Sequence, residues 1–213
     1  MRNIQLDHAA HKASSYNYPV CYLAHDINVA TNVGSFFRMA DALGVERVFL
    51  TGKTVAPPNP KLRKTSRCTE NYVDFTLEDD PIPVIDRLKA TGYRIISLET
   101  TNRSIDLALL EVSVDDKFCL LLGSENHGVH EDLFARSDEV VHIPMLGENS
   151  SMNVASACAI TTYDIIRRLN HQRLPTPHID HGTHHDAGGA TPDPDSGHFA
   201  EKYPTKTCSK HHL

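Results

Sequence analysis

Three short stretches hold the residues best suited to chemistry. Asn32, Gly34 and Arg38 fall together in NVGSFFRMADALGV, Glu125 sits between two glycines in LLLGSENHGV, and Ser151 and Asn153 follow a Pro/Gly loop in IPMLGENSSMNVASACAI. A guanidinium can clamp negative charge, while carboxamides and a hydroxyl can orient polar groups. A carboxylate just past an apolar run is poorly placed for core packing, and Gly123 beside it is expected to let a ligand approach the backbone. Each stretch also has a plain structural reading. Asn32 suits a helix N-cap with Gly44 as the stop, the second stretch suits a glycine-rich turn, and the small residues after Asn153 suit a capped, closely packed helix. No GxGxxG follows the first apolar run, which disfavours dinucleotide binding.

The elements that must position these residues follow from apolar periodicity. Val33, Phe36, Phe37, Ala40 and Leu43 recur at helical spacing, with Arg38 off that face. Strands are expected at 19–24, 45–50, about 71–75, 93–98, 118–123 and 139–144. Helices are expected at 82–90, 130–136 and 151–170. The alternation implies an α/β domain, a parallel sheet with helices on both faces. Ligands of such sheets bind beyond the carboxyl ends of the strands, so the three stretches should converge there.

The chain has 213 residues and a formal net charge of -6, enough for one such domain and an appendage, and unlike a protein whose whole surface binds polyanions. Between Gly52 and Cys68 the charge is locally reversed. Lys53, Lys61, Arg63, Lys64 and Arg67 occur with no acidic residue, among Pro57, Pro58 and Pro60. This reads as a basic loop, either simply solvated or in contact with phosphates. The five cysteines are scattered, with no CxxC pair, which suits reduced thiols. No signal-like or membrane-spanning apolar run is present, so the expected location is cytoplasmic, without a membrane partner. From His171 the composition turns to His, Pro, Gly, Asp and Thr, and eight of the fourteen histidines lie there. Without a folded frame they read as solvated residues of a disordered tail, and no metal site is expected. The expected organisation is an extension at 1–18, a domain at 19–170 and a tail at 171–213.

Together, and in this order, the three motifs resemble those of the SpoU, or TrmH-like, family of RNA ribose 2'-O-methyltransferases within the SPOUT class. The resemblance runs from about residue 19 to 170. It implies a C-terminal trefoil knot, binding of S-adenosylmethionine in that knot, and a homodimer. By the same resemblance Asn32, Arg38, Glu125, Ser151 and Asn153 occupy catalytic positions. The methyl donor is expected at Leu98, Glu99, Thr100, Gly123, Ile143, Met145 and Met152. Two departures stand out: Asn126 and His127 replace small residues, and Met152 replaces a leucine, which conserves volume.

Arg38 is expected to stabilise a developing alkoxide rather than to remove a proton, because a guanidinium stays protonated. Gly34 is expected to let the helix start approach substrate, and Lys61, Arg63, Lys64 and Arg67 to grip RNA phosphates. Transfer RNA is favoured over ribosomal RNA. Only about 18 residues precede the first strand, and the first motif looks closer to the branch modifying the D-loop guanosine. The alternatives are a ribosomal RNA methyltransferase and a catalytically silent RNA-binding module of the same fold. A small-molecule methyltransferase would leave the basic segment without a role.

Overall fold

A computed structural model describes residues 17–173. The tail beyond them, with Cys208 and the histidines from 178 onward, and most of the expected N-terminal extension lie outside the described residues. The strands are β1 (Tyr18–His25), β2 (Val45–Thr51), β3 (Phe75–Glu78), β4 (Tyr93–Leu98), β5 (Ile105–Asp106), β6 (Lys117–Leu122) and β7 (Glu139–His142). The helices are α1 (Ala30–Leu43), α2 (Pro60–Ser66), α3 (Pro81–Ala90), α4 (Glu131–Phe134) and α5 (Val154–Arg173). All seven strands form one parallel sheet in the order β3-β2-β1-β6-β4-β7-β5.

Alternation along the strands divides the core between two faces. Val20, Tyr22 and Ala24 of β1 and Phe118, Leu120 and Leu122 of β6 pack with Val33, Phe36, Phe37 and Ala40 of α1 and Cys158, Ile165 and Leu169 of α5. Cys21, Leu23, Cys119 and Leu121 turn the other way, towards Val84, Ile85 and Leu88 of α3 and Leu133 of α4. The register sets Cys21 opposite Cys119 and Leu23 opposite Leu121, so each face is continuous across the strands. The expected layers, with helices on both faces, are therefore present. Cys21, Cys119 and Cys158 are buried free thiols, and Cys68 is buried as well. Burial pushes the Cys158 thiol up to about 12.

The late strand β7 lies between β4 and β5, so it fills a gap that residues 99–104 bridge. A later segment entering between two strands already joined by a short connection is what the expected knot requires. Arg94 on β4 fastens the insertion, donating to both carboxylate oxygens of Glu139 at 2.7 and 2.8 Å. It also donates to Asp116 at 2.8 Å, ahead of β6. On the same face Tyr22 and Thr162 share a hydroxyl hydrogen bond of 2.8 Å that holds α5 to β1.

Three expectations need correction. Asn32 does not cap α1: Val29 precedes the helix with no side-chain cap, and Asn32 lies inside the first turn, 5% exposed. The segment expected as a strand near 71 contributes a 3-10 turn at Thr69–Asn71, and β3 begins later, at Phe75. The basic segment is not merely a loop, because it contains α2. Asn59 Oδ1 accepts from the N–H groups of Lys61 and Leu62 at 3.0 and 3.1 Å, and Pro60 sits where a missing N–H does no harm. With Leu62 its only buried apolar side chain, α2 carries too little periodicity to be read from sequence.

Gly34 also has a different purpose from the expected one. A Cβ there would lie 2.6 Å from the Leu62 carbonyl oxygen and 2.9 Å from Thr65 Cβ. The glycine admits α2 onto α1 and does not open a path to substrate. Gly34→Ala therefore sets a helix-propensity gain of about 1 kcal/mol against an overpacking cost of about 1–3 kcal/mol. Backbone on the other side of the contact makes the cost prevail. The urea midpoint is expected to fall, and an unchanged or higher midpoint would show that α2 yields without strain.

Candidate active site

β6, β4 and β7 are neighbours in the sheet, and the loops after them meet beyond their carboxyl ends. They enclose a cavity of about 510 Å3, within the range of small-molecule sites. Leu98, Glu99 and Thr100 enter from the loop after β4, and Gly123, Ser124, Glu125 and Gly128 from the loop after β6. His142, Ile143, Met145, Ser151, Met152 and Asn153 come from the segment after β7, with Val154 and Ala157 from α5. All seven residues expected to hold a methyl donor line this one cavity, together with Glu125, Ser151 and Asn153.

The loop after β6 is shaped by its glycines. Ser124 and Gly128 exchange backbone hydrogen bonds of 3.1 and 2.9 Å, closing a tight loop that leaves Glu125, Asn126 and His127 exposed. A Cβ on Gly123 would lie 2.2 Å from the Gly128 carbonyl carbon, and one on Gly128 would lie 2.3 Å from Glu99 Oε2. The space over Gly123 is thus filled by the chain itself, which corrects the expectation that a ligand occupies it. Glu99 Oε2 accepts from Val129 N–H at 3.3 Å, tying the loops after β4 and β6 together.

The three motifs meet through a single hydrogen-bonded relay. Asn32 Nδ2 donates to Glu125 Oε1 at 2.7 Å, and Asn32 Oδ1 accepts from Asn153 Nδ2 at 3.0 Å. Asn153 Oδ1 in turn accepts from the N–H groups of Ala155 and Ser156 at 2.9 and 3.3 Å, so Asn153 caps α5. The second Glu125 oxygen accepts from Asn28 N–H at 3.4 Å. A carboxylate only accepts, so Glu125 fixes which end of Asn32 faces it, and Asn32 then fixes Asn153.

Arg38 stands apart from this relay. Its side chain is exposed, does not line the cavity, and makes no ion pair with Glu125. Gly34 and Arg38 are four residues apart and share one side of α1, so Arg38 lies on the side that α2 covers. Lys61, Arg63, Lys64 and Arg67 are exposed on α2 and its end. Sequence reading missed Ser124, Gly128, His142, Val154 and Ala157 as cavity residues. The Nδ1 of His142 is buried with no hydrogen-bond partner among the described residues. The last residue of a strand gives no such signal in one dimension.

Comparison with known proteins identifies the class. Residues 20–163 match the model of the SpoU rRNA Methylase family, and the chain belongs to that family. An uncharacterized tRNA/rRNA methyltransferase of Borreliella burgdorferi is 29% identical over 148 residues, covering 70% of this chain and 64% of that protein. The 23S rRNA (guanosine(2553)-2'-O)-methyltransferase RlmP of Bacillus subtilis is 28% identical, covering 63% of this chain and 52% of that protein. The tRNA (guanosine(18)-2'-O)-methyltransferase of Borreliella burgdorferi is also 28% identical, covering 72% and 68%. The chain thus spans only about half to two thirds of these relatives. The fold is shared with the AdoMet-bound SpoU methyltransferase AviRb of Streptomyces viridochromogenes, at a TM-score of 0.65 and 24% identity, over 71% of this chain and 60% of that one. A structure solved for the 2-OH methylation of C/U34 on tRNA matches with a TM-score of 0.64 and 25% identity, covering 72% of this chain and 99% of that one.

The relay can be tested by reversing its polarity. Asn32→Asp places a new carboxylate against Glu125, removing a donor from a buried position at a cost of about 1–3 kcal/mol at pH 7. Repulsion raises the folded-state pKa of the pair, so the folded form binds more protons than the unfolded one and the deficit shrinks as pH falls through the carboxylate range. Adding Glu125→Gln restores a donor facing position 32 and an acceptor facing Asn28. Urea midpoints at pH 7 and pH 5 should show the single variant recovering with acid and the double variant close to wild type at both. Equal midpoints for the single variant and wild type at pH 7 would mean the relay carries no weight.

Proposed function

We propose that the protein transfers a methyl group from S-adenosylmethionine to a ribose 2'-hydroxyl of RNA, with transfer RNA the favoured substrate, and that it does so as a cytoplasmic homodimer. The observation that carries this reading is the convergence of the second and third family motifs on one cavity, with the first motif tied to both by the Asn32–Glu125–Asn153 relay. No helix among the described residues is long and apolar enough to cross a membrane, which accords with the location.

The cavity suits the donor. Leu98, Ile143, Met145 and Met152 offer apolar and thioether surface for a purine, and the orphaned His142 Nδ1 offers a polar contact. Glu99 and Glu125 give the cavity a negative potential that favours a cationic ligand. S-adenosylmethionine, when bound, supplies an electrophilic methyl on a sulfonium. Ser151 and Asn153, at the cavity wall, orient the ribose, and Asn32 and Glu125 hold Asn153 in place. As the oxygen–carbon bond forms, the carbon–sulfur pair stays on sulfur, and the hydroxyl proton leaves to a neighbouring phosphate or to water. Arg38 remains protonated and stabilises the developing alkoxide and an adjacent phosphate. Lys61, Arg63, Lys64 and Arg67 hold phosphates further along the RNA.

The homodimer reading rests on apolar surface left open. Ile160 and Tyr163 lie three residues apart on the outer face of α5, 44% and 61% exposed, and Leu146 is 97% exposed in the loop that precedes it. A second copy covering α5 would bury this stripe next to the cavity.

Methyl transfer from labelled S-adenosylmethionine to unmodified transfer RNA and, separately, ribosomal RNA tests the function. Alkali-resistant label is expected in the transfer RNA, falling about a hundred-fold or more in Arg38→Ala. Label only in ribosomal RNA would correct the substrate, and donor binding without transfer to either would point to another RNA. Absence of donor binding would favour the silent RNA-binding module. Alanine at Lys61, Arg63, Lys64 and Arg67 together should weaken RNA binding and flatten its salt dependence by roughly 0.7–0.9 in log–log slope per lost phosphate contact. Unaltered RNA affinity would remove α2 from the interface.

A further inference from the structure

Next to the cavity, but outside it, the loops after β1 and β6 bring His25, Asp26 and His130 together, one donor atom of each lying within 4.8 Å of the others. His25 Nε2 is 3.4 Å from Asp26 Oδ2, and His130 Nε2 is 3.8 Å from the same oxygen. Donors bound to zinc in a tetrahedron at about 2.0–2.2 Å stand roughly 3.3–3.6 Å apart. The first pair is already at that spacing. His130, with its side chain 55% exposed, needs only a small rotation to complete the set.

The surroundings fix these donors in place. Asp26 Oδ1 accepts from Lys53 N–H at 2.7 Å, which leaves Oδ2 for the imidazoles. Gly52 makes room, since a Cβ there would lie 2.3 Å from Asp26 Oδ1 and 2.8 Å from His25 Cε1. His25 Nδ1 is 3.0 Å from Thr51 Oγ1, whose hydroxyl can donate to the Ala24 carbonyl at 3.3 Å. In the tautomer that gives the Nδ1 hydrogen to Thr51 Oγ1, the Nε2 lone pair is turned towards Asp26 Oδ2 and is available to a metal ion.

We propose that His25, Asp26 and His130 form a three-donor site for a divalent ion of the zinc class, with a further coordination position open to water. Two imidazoles and one carboxylate suit zinc and its transition-metal neighbours better than magnesium or calcium. An ion there pins the end of β1 to the segment that carries Glu125 five residues earlier in sequence, so it steadies the relay without belonging to it. The sequence reading expects no metal site, so the proposed site departs from it.

The test uses the full chain with every histidine from 178 onward replaced by Asn, which silences the tail, followed by chelator treatment and titration of Zn2+ against a fluorescent zinc chelator. One ion per chain is expected, with binding weakened at least about tenfold in both His130→Ala and Asp26→Asn. The His130 side chain makes no cap bond, so its removal leaves α4 intact, and Asn at position 26 keeps an acceptor for Lys53 N–H. Added Zn2+ should raise the thermal midpoint of the parent but not of His130→Ala. No bound ion in the parent, or equal affinity in the parent and both variants, would overturn the site.

Discussion

The carboxamide of Asn32 is the interaction on which the rest of the site depends. It joins Glu125 and Asn153, residues 93 and 121 positions away in the chain. Because Asn32 is buried, neither end of its amide can turn to water instead, and a flipped amide would set donor against donor and acceptor against acceptor. The polarity starts at the carboxylate, passes through two carboxamides and ends on the N–H groups opening α5. One orientation therefore satisfies α1, the loop after β6 and the start of α5 at once. That is why residues with plain capping or turn readings, taken singly, act together as a site.

Sheet order supplies the second constraint. β4 stands between β6 and β7, two strands consecutive in the chain, and the cavity is the space the loops after these three strands share. The insertion of β7 between β4 and β5 means that the cavity floor forms only when the later chain has found its gap. The bidentate Arg94–Glu139 pair bridges the two strands involved and marks the correct register. Such a pair is worth more for specifying alignment than for net stability.

The fold was legible wherever a strand or helix carried its own apolar pattern. YRIISL and FCLLLG became β4 and β6 within a residue, and α3 begins one residue before its expected start. What stayed hidden depended on a partner distant in sequence. α2 is held by its Asn59 cap and one buried leucine, and β5 is two residues long and exists only because β7 pairs with it. Gly34 and Gly123 looked like openings for a ligand, whereas α2 and Gly128 fill the space above them. Sequence reading could see that a side chain was missing but not what had taken its place. His25, Asp26 and His130 escaped notice for the same reason, since no short spacing joins them.

Charge is divided in the molecule as the proposed chemistry needs. Glu99 and Glu125 face the cavity with their oxygens held by N–H donors and not by lysine or arginine, so their negative charge is oriented but not cancelled. Such a cavity attracts a cation and repels phosphate, so RNA cannot be drawn in by the cavity itself. Arg38 and the basic residues of α2 are exposed and do not line that cavity. In the proposed reaction the RNA phosphates are held by the basic residues and a neutral ribose hydroxyl enters the acidic cavity. A net charge of -6 is then no obstacle to RNA binding, because the basic residues are gathered in one segment of the chain.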